Sequence, residues 1–303
     1  MSENERGLGS ILWDAGERFF EQGAMRYSAA LAFYSTLALA PLVMLAVSAA
    51  SLVFADPGTE RLIVEQFDPL LGDQGIQVVE RVLDNVPDVE NSVIGLAGSV
   101  LLLLFGGSVL FVNVQATLNA IWNVRPPDRG IVKGFLKARL TATLMIFAAG
   151  GLLLLSTLLG AAANWATPII ERQLPVGSTL VVVVELGLSG VILTLLCAAT
   201  WRILPNVVLE WRDLWLGAGI TAGLFLLGRA VIGWYLSNAA VGSSFGAAGS
   251  LMAFLVWIYY SAVIFFFGAE VIQVWTEHRG RPIQPAGDAV AVRVQEVDNA
   301  PET

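Results

Sequence analysis

Six apolar stretches of about twenty residues or more constrain the fold of this chain more than any motif in it. They are Ala30–Phe54, Val93–Val114, Leu140–Ala163, Thr179–Thr200, Leu214–Leu236 and Gly249–Trp275. At about 1.5 Å per helical residue, roughly 20 residues cross the hydrocarbon core of a bilayer. A soluble domain carries about 25% charged residues and spreads its apolar ones in stripes; here 14% of 303 residues are charged. Lipid offers backbone amides no partner, so each stretch is expected to be helical. Pro41 is expected to bend the first span.

The expected fold is therefore all-α, a polytopic bundle of six transmembrane helices spanning residues 30–276. Residues 1–29 form an N-terminal segment. Residues 277–303 form a polar, proline-containing tail that is expected to be disordered.

Direction follows from Lys and Arg. Thirteen lie in the N-terminal segment, the second and fourth loops and the tail, against three (Arg61, Arg81, Arg172) on the other side. The excess marks the cytoplasmic face and predicts that both termini lie there. Leu8, Ile11, Leu12, Ala15 and Phe19 recur at helical spacing, which predicts an amphipathic interfacial helix before the first span. Ile76, Val79, Leu83 and Val86 predict short helices in the acidic outer loop 55–92. Trp122, Trp165, Trp201, Trp211, Trp215, Trp234 and Trp275 fall near span ends, as in an aromatic belt.

Polar groups inside the spans are the candidate functional residues. An ionisable side chain at mid-bilayer costs about 2.5–3.5 kcal/mol on insertion scales, and Glu185, Arg229 and Glu270 are such groups. Counted from the span ends at helical rise, Glu185 and Arg229 lie at matching depths of about 9–10 Å from the outer face. They suit an ion pair within the bundle or two side chains snorkelling to the headgroups. A second set, Tyr34, Gln115, Asn119 and Glu270, falls in the cytoplasmic halves of three spans. These residues suit the lining of an inner vestibule, or interhelical hydrogen bonds worth about 0.6–2 kcal/mol each. Gly219 with Gly223, and Gly242 with Gly246, form GxxxG motifs that suit either close packing within one chain or a homo-oligomer.

Several functions lack their chemistry. One histidine (His278) and one cysteine (Cys197) cannot build a metal-dependent hydrolytic centre. The chain has no HExxH, GxxxxGK[ST], GxSxG or CxxC motif, and no soluble basic domain for nucleic acid. No catalytic residue, metal or cofactor is assigned, and no enzyme activity or nucleic-acid partner is expected. The basic loop 120–139 suits topology or anionic lipid headgroups, each cation near the surface being worth about 1 kcal/mol.

Specific strings add a family resemblance. Ala30-Leu31-Ala32-Phe33-Tyr34-Ser35 opens the first span, which also holds Pro41. Asn119-Ala120-Ile121-Trp122-Asn123-Val124-Arg125-Pro126 leaves the second. Leu204-Pro205-Asn206 and Trp211 precede the fifth. Phe245-Gly246-Ala247-Ala248-Gly249-Ser250 leads to Trp257-Ile258-Tyr259-Tyr260-Ser261, and Gly268-Ala269-Glu270 ends the sixth. Over residues 8–277 the chain resembles the YihY family, also called the BrkB or virulence-factor family. The resemblance implies a bacterial inner-membrane bundle of six helices with a role in envelope lipid or lipopolysaccharide handling. The family's old label as a ribonuclease finds no support in these residues. The expected function is a transporter, flippase or exporter of an envelope lipid or small solute along a polar path. A non-transporting scaffold of envelope biogenesis is the alternative.

Overall fold

The structure is a computed structural model that describes residues 7–37, 109–127, 140–141, 144, 151, 177–238 and 241–292. Helix α1 (Leu8–Glu21) turns at Gln22–Gly23 into α2 (residues 24–37). Helix α3 (Val109–Ile121) leads into strand β1 (Val124–Arg125). The long helices follow: α4 (Gly177–Ile203), then β2 (Val207–Val208), α5 (Trp211–Asn238) and α6 (Val241–His278). Strands β3 (Gln284–Pro285) and β4 (Val290–Ala291) close the described chain.

Three helices are long and apolar enough to cross a membrane, in the windows Leu186–Ile203, Trp211–Val231 and Phe254–His278. They coincide with the fourth, fifth and sixth expected spans. The described parts of the first three spans, in α2, in α3 and at residues 140, 141, 144 and 151, are also helical. Pro41 and the outer loop 55–92 lie outside the described residues.

Fourteen residues of α1 would be a marginal helix alone; packing stabilises it. Ile11, Ala15 and Phe19 are buried on one stripe, the first two against Val271 and Val274 of α6. Burying a side chain of this size contributes about 1.5–3 kcal/mol. The adjoining stripe keeps Leu12, Trp13 (76% exposed) and Phe20 (67% exposed) uncovered, a face suited to the headgroup boundary. Gly23 has φ +67° in the turn after α1, a conformation L side chains rarely adopt.

Helix α5 packs between α4 and α6. Glycines admit α6 closely at two levels: a β-carbon at Gly217 would meet the Gly268 carbonyl and Ile272, one at Gly268 would meet Thr221 and Trp201, and one at Gly228 would meet Tyr260. The GxxxG pair Gly219 and Gly223 is not at this contact, because two residues further along a helix the chain faces nearly the opposite way. Among the described residues nothing lies within 4 Å of the β-positions of either glycine.

Two expectations are corrected. Residues 281–292 are not a disordered tail. Strand β4 pairs antiparallel with β1 (Val124 with Ala291, Arg125 with Val290), and β3 pairs with β2 (Val207 with Pro285, Val208 with Gln284). Val292 N–H donates to the Asn123 carbonyl at 2.7 Å and Ala286 N–H to the Asn206 carbonyl at 2.9 Å. Ile283 and Ala289 pack on the main core. The Arg281 guanidinium donates to both carboxylate oxygens of Asp213, at 2.8 and 3.2 Å. The second correction concerns tryptophan. Trp122 and Trp201 are buried core residues, whereas Trp211 and Trp215 are exposed as a belt requires. The first two sit where α3 and α4 meet α6, and neighbouring helices exclude them from the boundary.

Candidate functional site

The end of the bundle that gathers α1, the α3–β1 turn, the α4–α5 connection and the tail is here called the basal end. Its central polar group is Glu270, fully buried on α6. Helix position brings it there: Ala269 and Val271 are buried beside it, and the Ala269 carbonyl accepts the Trp122 indole N–H at 3.2 Å. One terminal atom of the Gln22 amide lies 3.3 Å from Glu270 Oε1 and 3.3 Å from the Ile121 carbonyl oxygen. As nitrogen it donates to both. Glu270 Oε2 is buried and has no hydrogen-bond partner among the described residues, and Gln273 Oε1 shares that condition.

Around this core lies a shell of charge pairs linking α1 to α6. Arg18 meets Glu277 at 2.7 Å, and Gln273 Nε2 donates to Glu277 Oε1 at 3.2 Å. His278 contacts the Val274 carbonyl at 2.8 Å and stands 3.5 Å from Asp14. An ionised carboxylate left unpaired in such a place costs several kcal/mol, so Glu270 is a poor choice for mere helix glue.

The expected vestibule residues do not all face Glu270. Gln115 Nε2 donates to the Leu204 carbonyl at 2.6 Å, and Asn119 Oδ1 accepts the Asn206 N–H at 2.8 Å. Both amides tie α3 to the connection holding Pro205. Tyr34 is half-buried on α2, its ring 5.7 Å from Phe33. Arg229 is exposed on α5; Glu185 is on α4, and its side chain lies outside the described residues. Among the motif positions, Trp122 and Gly268 frame Glu270. Trp257 is buried in α6, and Tyr260 hydroxyl donates to the Leu224 carbonyl at 3.0 Å. Arg125 and Pro126 lie at β1, Trp211 opens α5, and Gly246 and Gly249 lie in the first turns of α6.

A feature with no sequence signal lies along α6 from Glu270 toward the bundle middle. A cavity of about 270 Å³ is bounded by α2 to α6, with Ser35, Phe111, Val114, Leu193, Cys197, Phe225 and Ala262 in its wall. The other hydroxyls in the wall turn back to main chain. Thr200 donates to Leu196, Ser261 to Trp257 and Thr221 to Ile264, at 2.7, 2.9 and 3.4 Å. The wall is consequently apolar in character. At its basal side Phe265 lines the cavity and packs on Trp201, ring centroids 5.2 Å apart. Glu270 lies five residues further along α6, about 7.5 Å at helical rise. Among the described residues no group of three His, Cys, Asp or Glu side chains could hold a metal ion.

Comparison with known proteins finds a family model and curated membrane-protein relatives. The family model described as "Virulence factor BrkB" matches residues 15–292. The match therefore extends past residue 277, where the motif resemblance ended, to the last residues of the β4 clasp. A UPF0761 membrane protein of Teredinibacter turnerae is 27% identical over 288 residues, covering 92% of this chain and 64% of the relative. One from Saccharophagus degradans is 27% identical, covering 89% and 60%, and one from Methylibium petroleiphilum is 29% identical, covering 84% and 59%. The chain spans about 60% of the length of these curated relatives. No solved structure matches. The chain is a membrane protein of the virulence factor BrkB family.

Proposed function

We propose that the protein is a transporter, flippase or exporter that moves an amphiphile through its helix bundle, an envelope lipid first and a small solute second. In this reading it spans a bacterial inner membrane six times with both termini in the cytoplasm, which makes the basal end the cytoplasmic end. The excess of Lys and Arg in the segments on that side, thirteen against three, supports the orientation. Anionic headgroups are then natural partners of the basic loop 120–139.

The observation that carries the reading is the apolar cavity. A dry apolar cavity of about 150 Å³ already accepts a ring such as benzene, and this one is about 270 Å³. Being open on one side rather than sealed, it leaves its apolar lining without close packing there. A hydrocarbon segment of a substrate recovers that packing. The polar part of the same molecule would pass the basal groups around Glu270.

The test is lipid or amphiphile translocation by purified protein in liposomes. Ala262→Trp, with Ala262→Phe as a milder version, fills the cavity from its wall. Either is expected to lower flux at least tenfold while the protein remains inserted. Gly219→Ala, on the uncovered face of α5, is the control that leaves flux unchanged. Wild-type envelope function in cells carrying Ala262→Trp, with no flux from the wild-type protein, would instead support the scaffold.

A further inference from the structure

We infer that the packed layer between the cavity and the basal end is a closed gate, and that residues 281–292 are the strap that holds it shut. Each helix in the cavity wall carries, within two turns toward the basal end, a residue with no exposed surface. They are Ala24 on α2, Leu118 on α3, Trp201 on α4, Ala218 on α5 and Ala269 on α6. All five belong to one packed cluster. From Val114 in the wall to Trp122 at the end of α3 the chain rises about 12 Å as helix, and that is the depth of the layer. The wall itself is less tightly covered, with Phe111, Leu193 and Phe225 half-buried.

This layer is packed at a polar cost. Among the described residues, the buried side-chain polar atoms without a hydrogen-bond partner are Trp201 Nε1, Glu270 Oε2 and Gln273 Oε1. All three residues lie on the basal side of the cavity. A buried donor or acceptor left unpaired forfeits the hydrogen bond it makes in water. The contact that shuts water out is close: a β-carbon at Gly268 of α6 would meet the Trp201 ring of α4. Parting α4 from α6 there hydrates the indole and opens the layer. Packed cores switch between discrete arrangements rather than deform continuously, so a closed packing and an open, hydrated one are the two states.

The strap joins helices that the layer must separate to open. Strand β3 ties it to the α4–α5 connection, and β4 ties it to the end of α3. Between them Ile283 and Ala289 pack on the same cluster from the basal side. Its own hold is slight. Each strand is two residues long, and Val290 is 61% exposed. Segments with few buried contacts open locally at low free energy while the core beneath stays folded. Release of the strap frees α3 from the α4–α5 connection, and re-pairing shuts the layer. As a gate for transport this rests on the function proposed above; the strapped closure does not.

The test reads alkylation of Cys197, in the cavity wall, by a charged maleimide. It uses the full-length protein in detergent, where the reagent reaches both ends. Ala286→Pro with Val292→Pro deletes the two N–H groups that the strap donates to the Asn206 and Asn123 carbonyls. That variant should react at least tenfold faster than wild type. Adding Arg125→Cys and Val290→Cys to it places two thiols at paired ladder positions, within disulfide reach across a ladder. Oxidised, this protein should return to the wild-type rate, which a merely misfolded variant would not do. Equal rates in wild type and the proline variant, or a fast rate that the disulfide leaves unchanged, would overturn the strap. Glu270→Leu removes one unpaired atom and should slow the proline variant at least threefold. A faster reaction would mean that the layer packs around the carboxylate, and would overturn the gate. In liposomes, the oxidised Arg125→Cys, Val290→Cys protein without the prolines should show flux at least tenfold below wild type, and wild-type flux would take the gate off the path. No flux from the wild-type protein, with the alkylation rates as expected, would uphold the strapped layer and remove the transport reading.

Discussion

Buried polar side chains at the basal end differ in whether their neighbours complete them. Gln115 and Asn119 are completed by main-chain groups of the Leu204–Asn206 connection, so their removal should act on stability. Asp213 is completed by Arg281, with the carboxylate buried and the guanidinium half-buried. Arg281→Ala leaves Asp213 buried with one partner fewer, at a cost of about 1–3 kcal/mol. The double variant Asp213→Asn, Arg281→Ala should cost less than the sum of the single changes, and Tm from thermal unfolding of all four proteins measures that coupling. Glu270 and Gln273 differ, each with a buried side-chain oxygen that has no partner among the described residues, and Glu270 is the carboxylate of the two. It was legible in the sequence because a charge interrupts an apolar block. Gln22 was not: it follows an amphipathic helix among other polar residues, and only the Gly23 turn brings its amide against α6.

At the scale of elements, α1 was legible because helical periodicity is local, and the long helices because lipid imposes length and composition on each independently. The β clasp was not. Half of residues 281–292 are apolar, but they are mostly alanine and valine set among prolines and a glycine, and their strands exist only because β1 and β2, roughly 80 to 165 residues earlier, present free edges. Composition says nothing about such a partner. The small-residue contact shows the same limit: Gly219 and Gly223 carry the motif, yet Gly217 and Gly268 carry the packing, since helix rotation is fixed by the whole bundle. Ending the chain after Gly280 removes both ladders and the Asp213–Arg281 pair. The α4–α5 connection should then become the first site of limited proteolysis, cut at least tenfold faster than in the full chain. Equal cutting rates would mean the clasp does not hold the connection.

At the scale of the molecule, among the described residues three helices able to span a membrane pack with α2 and α3 around an apolar cavity, and charge pairs and short ladders close the basal end. The six stretches specify a membrane bundle without specifying what it encloses, because a cavity is a property of packing among five helices and has no local periodicity. The only cysteine of the chain lies in the cavity wall and reports on it directly. The decisive measurement is the alkylation rate of Cys197 in native protein by an apolar maleimide and by a charged, impermeant one, with and without a competing lipid analogue. An open apolar cavity predicts reaction with the apolar reagent only, slowed at least several-fold by the analogue and by Ala262→Trp. Reaction only upon unfolding, or a rate indifferent to both, would contradict a cavity that admits a substrate chain.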